Sequence, residues 1–179
     1  MPSKDDWDAS FRVAWTPPGA PGGEGYENMW YVFVTVTDDT LDHDITDVDR
    51  GYNDDDVEFS TDMDMSGGPF PDRIHAQQWT FHLATHGYPR VAHLRYKLPP
   101  EMQWGTDPPY CYAAARVEPE GAGHLATNVT VYYEWKIAAW DVYRPEGPDA
   151  SKRHMFKAGE TVATVVQVNE ADGKWENQI

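Results

Sequence analysis

The feature that most constrains this chain is a period-two alternation of apolar and polar residues in short segments. In the clearest segment every second residue is apolar or aromatic and those between them are mostly polar; the apolar set is Val129, Val131, Tyr133, Trp135 and Ile137. Successive side chains of a strand point to opposite faces, so this pattern predicts a strand with one buried face. We find about eight such segments and no convincing helix of three or more turns.

The other segments extend the same prediction. The run Trp30–Val36 is apolar on both faces, as expected for a strand that is buried on two sides. The remaining alternating segments lie at 11–15, 57–59, 79–83, 92–98 and 162–168. The 14 glycines and 14 prolines fall mostly between them, which is typical of β-rich domains. We therefore predict an all-β chain that forms a single antiparallel β-sandwich domain over residues 1–179, jelly-roll or immunoglobulin-like. The core of this sandwich should contain Trp15, Trp30, Trp79 and Trp135.

Charge excludes two classes of partner. The chain has 14 Lys and Arg against 30 Asp and Glu, a net charge of −16, so it should repel nucleic-acid phosphates and anionic membrane surfaces. The 24 aromatic residues argue against disorder, because disordered chains contain few rings. No apolar stretch approaches the roughly 18 residues of a membrane-spanning helix. Cys111 is the single cysteine, so it forms no internal disulfide.

A concentration of carboxylates indicates a cation site. Eleven aspartates fall between Asp38 and Asp64, with Arg50 as the only cation. Two stretches have the hard oxygen ligands that calcium prefers; the candidate ligands are Asp38 and Asp39, with Asp42 and Asp44 nearby, and Asp62 and Asp64. A solvated acidic surface is the alternative for any one pair. For the segment as a whole we predict at least one bound calcium, because so many like charges repel one another unless they share a cation.

Four groups of residues follow one another along the chain in a recognisable order. Residues 11–15 and 30–39 form an opening strand pair with an acidic turn, and residues 55–68 an acidic strand and loop. Residues 133–137 form a late strand, and residues 158–160 and 166–172 a penultimate strand and turn. In this order they resemble the family 9 carbohydrate-binding module, within the wider group of DOMON-like sandwiches. The resemblance spans most of the chain. It implies non-catalytic binding of a glycan or polysaccharide by a calcium-stabilised sandwich, outside the cell or at its surface.

The resemblance also implies a sugar site. Sugar C–H faces stack on aromatic rings, while hydroxyl groups need paired donors and acceptors. The positions that match the family's site are Tyr52 and Trp175 for the two rings, and Glu58, Gln167, Asn169 and His82 for the polar set. The family commonly has Trp at the position of Tyr52. His82 stands where a family member can carry Arg, and an imidazole lacks the forked donors of a guanidinium.

The ends of the chain suggest a rival hypothesis. The family usually has a strand before the Phe11 segment and a closing strand after the loop that contains Trp175, yet only ten residues precede Phe11 and the chain stops at Ile179. A sandwich that lacked these strands would expose backbone edges, which pair readily with other chains. The chain could then be a piece of a larger protein, or the subunit of a calcium-dependent homo-oligomer or extracellular filament.

Three further hypotheses were weighed. Haem is a minor alternative, since related sandwiches carry it and seven histidines and six methionines offer axial ligands, but no haem-attachment motif is present. Carboxylate pairs such as Asp55 and Glu58 could act in glycoside cleavage, but nothing in the sequence fixes their separation, and we predict no catalysis. Trp104, Tyr110 and Tyr112 form a second candidate stacking patch in a Pro-rich loop.

Overall fold

The computed structural model describes residues 7–23, 25–45, 53–67, 74–83, 89–93, 104–171 and 177–178. In chain order, the strands of this part of the chain are β1 (Trp7–Trp15), β2 (Met29–Leu41), β3 (Asp56–Asp62), β4 (Ala76–Leu83), β5 (Pro89–His93), β6 (Cys111–Glu118), β7 (Ala126–Ala138), β8 (Trp140–Val142), β9 (Lys152–Arg153), β10 (Ala163–Glu170) and β11 (Asn177–Gln178). A 3-10 turn covers Pro148–Ala150. No α-helix occurs in the described ranges, and none of their helical turns is long and apolar enough to cross a membrane.

The strands form two antiparallel sheets that pack face to face. The four-stranded sheet has the order β1-β2-β7-β6, and the five-stranded sheet has the order β11-β10-β3-β4-β5. Strands β8 and β9 form a separate two-stranded ribbon. The predicted antiparallel β-sandwich is therefore confirmed. The closing strand β11 is two residues long and pairs with the end of β10.

Aromatic rings from both sheets interlock in the core. Phe81 on β4 meets Tyr133 and Trp135 on β7, each at a centroid distance of 5.1 Å. Trp30 on β2 meets Phe59 on β3 edge to face at 5.8 Å. Each such ring removes a large apolar area from water, so these contacts supply much of the driving force that holds the two sheets together. The predicted burial of Trp30, Trp79 and Trp135 is confirmed.

Two predictions about aromatic residues need correction. Trp15 was expected in the core, but it is 38% exposed and stacks on Phe156 at 5.1 Å. Trp15 is the last residue of β1, which is an edge strand of the four-stranded sheet, and its ring is therefore partly open to solvent. Trp104 was expected in a surface stacking patch, but it packs on the core, stacked on Tyr143 at 4.5 Å and edge-on to Trp140 at 5.0 Å.

Strand β6 is the element that the alternation did not reveal. Tyr112 was placed in a Pro-rich loop, whereas it lies in β6 and pairs with Lys136 on β7. The strand runs through Ala113, Ala114 and Ala115, and its residues alternate between more and less buried positions. Three consecutive alanines remove the alternation of apolar and polar residues from the sequence, because alanine is compatible with either face of a strand.

Candidate functional site

Three carboxylates from distant parts of the chain meet at one end of the sandwich. Asp38 lies near the end of β2, Asp55 directly precedes β3, and Glu170 ends β10. One oxygen of each lies within 4.8 Å of the others, and all three residues are at most 5% exposed. Strands β3 and β10 are antiparallel neighbours, so the start of one and the end of the other necessarily lie side by side. We refer to Asp38, Asp55 and Glu170 as the buried carboxylate cluster.

Backbone hydrogen bonds fix the cluster in place. The carboxylate of Asp55 accepts hydrogen bonds from the backbone N–H groups of Asp42 at 2.5 Å and Ala171 at 2.8 Å. The N–H of Asp55 in turn donates to the carbonyl of Asp42 at 2.8 Å. Asp38 accepts from the N–H of Thr40 at 2.9 Å. These bonds position the carboxylates of Asp38 and Asp55 relative to the backbone at the ends of β2 and β10.

The buried carboxylate cluster concentrates negative charge in a small volume. Two like charges at 4 to 5 Å repel by about 4 kcal/mol at an effective dielectric constant of about 20. Burial, followed by the charges of Glu170 and Asp38, raises the pKa of Asp55 to about 10. Burial and the same carboxylates raise the pKa of Tyr133, which lies beneath them on β7, well above its ordinary value. A proton on Asp55 or a bound cation would reduce the repulsion among the three carboxylates.

The donor set fits a calcium ion. Calcium takes six to eight oxygen ligands at about 2.3 to 2.6 Å, so two ligands on opposite sides of the ion are at most about 5 Å apart. The separations of up to 4.8 Å within the cluster match this limit. The three carboxylates can supply up to six oxygens if each is bidentate, and no nitrogen or sulfur ligand is among them.

A second acidic group lies beside the first. Asp42, Asp44 and Asp54 also bring one oxygen each to within 4.8 Å of one another. Asp54 is buried, and burial together with the charges of Asp42 and Asp44 raises its pKa to about 6. His124 approaches the group, with its Nδ1 3.2 Å from a carboxylate oxygen of Asp42. This imidazole ring distinguishes the second group from the buried carboxylate cluster, whose three members are all carboxylates.

The predicted metal ligands are divided between different places. Asp38 belongs to the buried carboxylate cluster, whereas Asp39, Asp62 and Asp64 belong to neither acidic group that the described residues form. Asp62 accepts from the N–H of Gly67 at 3.1 Å, and Asp64 accepts from the N–H of Ser66 at 3.1 Å. These two carboxylates cap the turn that follows β3. Their role as metal ligands stays a prediction.

The polar residues of the predicted sugar site share one face of the five-stranded sheet. Glu58 on β3 pairs directly with Gln167 on β10, and Asn169 lies two residues further along the same face. The register also pairs His82 on β4 with Asp56, next to Asn169 on that face. The side chain of His82 lies outside what the structure describes, as do Tyr52 and Trp175. The two predicted stacking rings therefore stay predictions.

A chain of hydrogen bonds orients this polar face. The amide of Gln167 donates to Asn169 at 2.7 Å, and the amide of Asn169 donates to a carboxylate oxygen of Asp56. Glu58 accepts a hydrogen bond from the amide of Gln78. Glu58 and Asn169 are each 1% exposed, whereas Gln167 is partly exposed. Gln167 is thus the member best placed to reach a ligand, and the buried members hold its amide in one orientation.

Several residues of these sites did not emerge as site residues from the sequence. Asp55 and Glu170 stood in segments that resemble the family, but neither was singled out as a metal ligand. Asp56 and Gln78 were not singled out as partners of the polar face. The signal that identifies all four is the pairing of β3 with β4 and β10, and a single sequence does not specify that register.

Comparison with known proteins supports the fold. No protein-family model matches the sequence, and no curated protein matches it. Among solved structures, a family 9 carbohydrate-binding module from Caldicellulosiruptor kristjanssonii in complex with glucose has a TM-score of 0.50 and 16% identity, over 93% of this chain and 61% of its own. A Bacteroides uniformis protein, provisionally described as carbohydrate-binding, has a TM-score of 0.50 and 11% identity, over 96% of this chain and 67% of its own.

This chain therefore spans about three fifths to two thirds of the length of these two structures. At such low identity the similarity concerns the path of the backbone and not the side chains of a site. The resemblance noted in the sequence is confirmed at that level. The chain has an antiparallel β-sandwich fold like that of family 9 carbohydrate-binding modules.

Proposed function

We propose that this chain is a non-catalytic carbohydrate-binding module whose sugar site lies on the polar face of the five-stranded sheet. The observation that carries the proposal is the side-by-side register of Glu58, Gln167 and Asn169. The same three residues match the sugar-binding positions that the sequence resemblance implies. The partly exposed amide of Gln167 offers a donor and an acceptor to sugar hydroxyls, and buried Asn169 holds it in one orientation.

Calcium is the second part of the proposal. A calcium ion in the buried carboxylate cluster would offset the repulsion among Asp38, Asp55 and Glu170. Asp55 directly precedes Asp56 and Glu170 directly follows Asn169, so the cluster and the polar face are built on adjacent residues. Calcium therefore stabilises the strand ends that carry the hydrogen-bonded amides. We also place the module outside the cell or at its surface, where calcium is plentiful and polysaccharides are accessible.

The test is calorimetric titration of the full chain with glucose, cellobiose and a panel of other neutral oligosaccharides, in calcium and in chelator. Gln167→Ala removes the partly exposed amide and Glu58→Gln removes the buried charge with little change of shape. We expect Gln167→Ala to weaken binding about tenfold, the loss of one or two hydrogen bonds. Glu58→Gln should weaken binding less, because Glu58 is buried and acts through its hydrogen bond from Gln78. Glu120→Gln, in an exposed turn, is the matched control and should bind like the native chain. Native affinity in both site variants, or no heat with any sugar, would overturn the sugar-binding proposal.

Assembly through sheet edges remains a separate hypothesis. Among the described strands, β1 and β6 border the four-stranded sheet, and β5 and β11 border the five-stranded sheet. Light scattering with and without calcium distinguishes the two functions. A monomer of about 20 kDa in both conditions contradicts the filament hypothesis and leaves the sugar-binding proposal intact.

A further inference from the structure

The outer face of the four-stranded sheet carries an exposed set of aromatic rings that the proposed site does not use. The register places Tyr112, Lys136 and Tyr31 in one row across β6, β7 and β2, with Tyr26 in the loop beside them. On β7, Glu134 lies two residues before Lys136, and Tyr132 lies four residues before it. Tyr26 is 49% and Tyr112 39% exposed. These rings lie on the side of the sheet that faces away from the core.

Two adjoining concavities run across this face. One, of about 290 Å³, lies among Tyr26, Tyr31, Tyr112 and Lys136. The other, of about 310 Å³, lies among Phe33, Arg116 and Tyr132. Both include Ala114 and Glu134, so they meet over a small side chain and form one groove. From the Tyr112 row to the Arg116 row is four residues, roughly 13 Å along the strands, which is longer than a single sugar ring.

Ring contacts give the groove a defined shape. Lys136 lies between two tyrosines, with its Nζ 3.8 Å from the ring centroid of Tyr26 and 3.8 Å from that of Tyr112. At the other end, Phe33 and Tyr132 are nearly parallel at a centroid distance of 6.3 Å. Arg116 lies 4.8 Å over Tyr132 and forms an ion pair with Glu118 at 2.7 Å. The rings are therefore held by neighbours on adjacent strands and form a preorganised surface.

Charge identifies the kind of occupant. The charged residues at outward positions of this sheet are three cations, Arg12, Arg116 and Lys136, and four anions, Asp8, Asp39, Glu118 and Glu134. The face thus has no excess of positive charge, on a chain whose net charge is −16. A polyanion has no excess of positive charge to bind here, and a second copy of this acidic chain would be repelled. A neutral partner needs no excess of positive charge on the face and is not repelled by the acidic chain.

We propose that this groove is a second glycan-binding surface, which takes a segment of a neutral polysaccharide. The exposed rings of Tyr26 and Tyr112 and the half-buried rings of Phe33 and Tyr132 provide apolar surface for sugar C–H groups. Lys136, Glu134 and Arg116 lie between the rings and supply donors and acceptors for hydroxyl groups. The surface lies on the sheet opposite to Glu58, Gln167 and Asn169, so it does not depend on the site proposed above.

The test is affinity electrophoresis of the full chain in native gels that contain hydroxyethyl cellulose, arabinoxylan or galactomannan, with polygalacturonate as the anionic comparison. The double variant Tyr112→Ala/Tyr132→Ala removes one ring from each half of the groove. Phe11→Ala is the matched control, because Phe11 is an exposed ring, 60% accessible, outside the groove. We expect retardation of the native chain in at least one neutral gel, an affinity at least tenfold weaker for the double variant, and no change for Phe11→Ala.

Three results would overturn this inference. The first is equal retardation of the native chain and the double variant, and the second is no retardation in any neutral gel. The third is a native dimer, seen by light scattering, that the double variant converts to a monomer, because the occupant would then be a second copy. Titration with glucose distinguishes a failure of the groove from a failure of the sugar site proposed on the five-stranded sheet. The double variant should keep the native glucose affinity, whereas Gln167→Ala should lose it.

Discussion

The two sheets of this sandwich carry outer faces of opposite character. On the five-stranded sheet, charged and amide groups such as Asp56, Glu58 and Asn169 are almost completely buried. On the four-stranded sheet, the tyrosine rings at 26 and 112 are exposed to solvent. Both arrangements reverse the usual distribution, in which polar groups face water and rings are inside. Each reversal costs free energy in an isolated chain, so each face is a candidate for ligand binding.

The two outer faces are stabilised by different kinds of interaction. The polar face is held by hydrogen bonds within the chain and by its connection to the buried carboxylate cluster, so it should be sensitive to charge and to cations. The aromatic face is held by contacts between rings and cations, such as Lys136 between Tyr26 and Tyr112. Its stability should therefore depend little on calcium. The following predictions test this contrast, from the largest expected effect to the smallest.

Calcium should stabilise the chain through the buried carboxylate cluster, which joins the end of β2 to the start of β3 and the end of β10. At a calcium concentration about a thousandfold above the dissociation constant, the free energy of unfolding should rise by about 4 kcal/mol. Asp38→Asn should abolish this gain, since it removes one of three charges while its remaining oxygen can still accept from Thr40. Asp149→Asn, an exposed change of the same type, is the control and should respond like the native chain. Melting curves with calcium and with chelator provide the measurement.

The same series tests the ligands that the sequence suggested. If Asp64 also binds calcium, Asp64→Asn should reduce the gain as Asp38→Asn does. If Asp64 only caps its own turn, the calcium response should stay native. A full calcium response in Asp38→Asn would show that the buried carboxylate cluster is not the calcium site.

The stability of the calcium-free chain should fall as the pH rises. The pKa of Asp55 is raised to about 10 in the folded chain, against about 3.9 when unfolded, so the folded state binds more protons between these values. This contribution is complete below pH 4 and is lost as the pH approaches 10, at up to about 1.4 kcal/mol per pH unit. Urea unfolding in chelator at pH 5 and pH 8 measures it. Higher stability at pH 8 than at pH 5 would contradict the prediction.

Asn169→Ala should destabilise the polar face moderately. The variant removes the acceptor for Gln167 and the donor to Asp56 in a site that is 1% exposed. The cost of leaving such groups without their partner is about 1 to 3 kcal/mol. Thr164→Ala, at an exposed position of the same strand, is the control and should stay within about 0.5 kcal/mol of the native chain. Urea unfolding in calcium compares the two variants directly, and equal stabilities would contradict the argument.

Tyr112→Ala should have the smallest effect on stability. Its ring is 39% exposed and contacts the flexible side chain of Lys136, so its loss should cost less than about 1 kcal/mol. The same urea titration, run with and without calcium, should show an unchanged calcium response. A loss as large as that of Asn169→Ala would show that the aromatic face is part of the structural core and not a ligand surface.

The fold was largely predictable from the sequence, and the sites were predictable only in part. Alternation marked β7 clearly, because apolar residues recur at every second position. The apolar run 30–36 marked β2, but the expected burial on both faces was wrong, since Tyr31, Phe33 and Thr35 are only half-buried on the outer face. Alternation failed for β6, where three alanines occupy both faces. The buried carboxylate cluster could not be derived, because Asp38, Asp55 and Glu170 meet only through strand register. Tyr52 and Trp175 were assigned by resemblance, and they lie outside the described residues.

The meeting of three strand ends has a consequence for how the chain opens and closes. A cation shared by Asp38 and Glu170 would join positions more than a hundred residues apart, like a removable cross-link between the first and last thirds of the polypeptide. Closing a loop of that size in the unfolded ensemble is worth about 4 to 5 kcal/mol in the chain-entropy treatment of cross-links. Without calcium, the end of the sandwich that holds the buried carboxylate cluster should be the first to exchange amide protons and to be cleaved by proteases. Calcium should suppress both the exchange and the cleavage there.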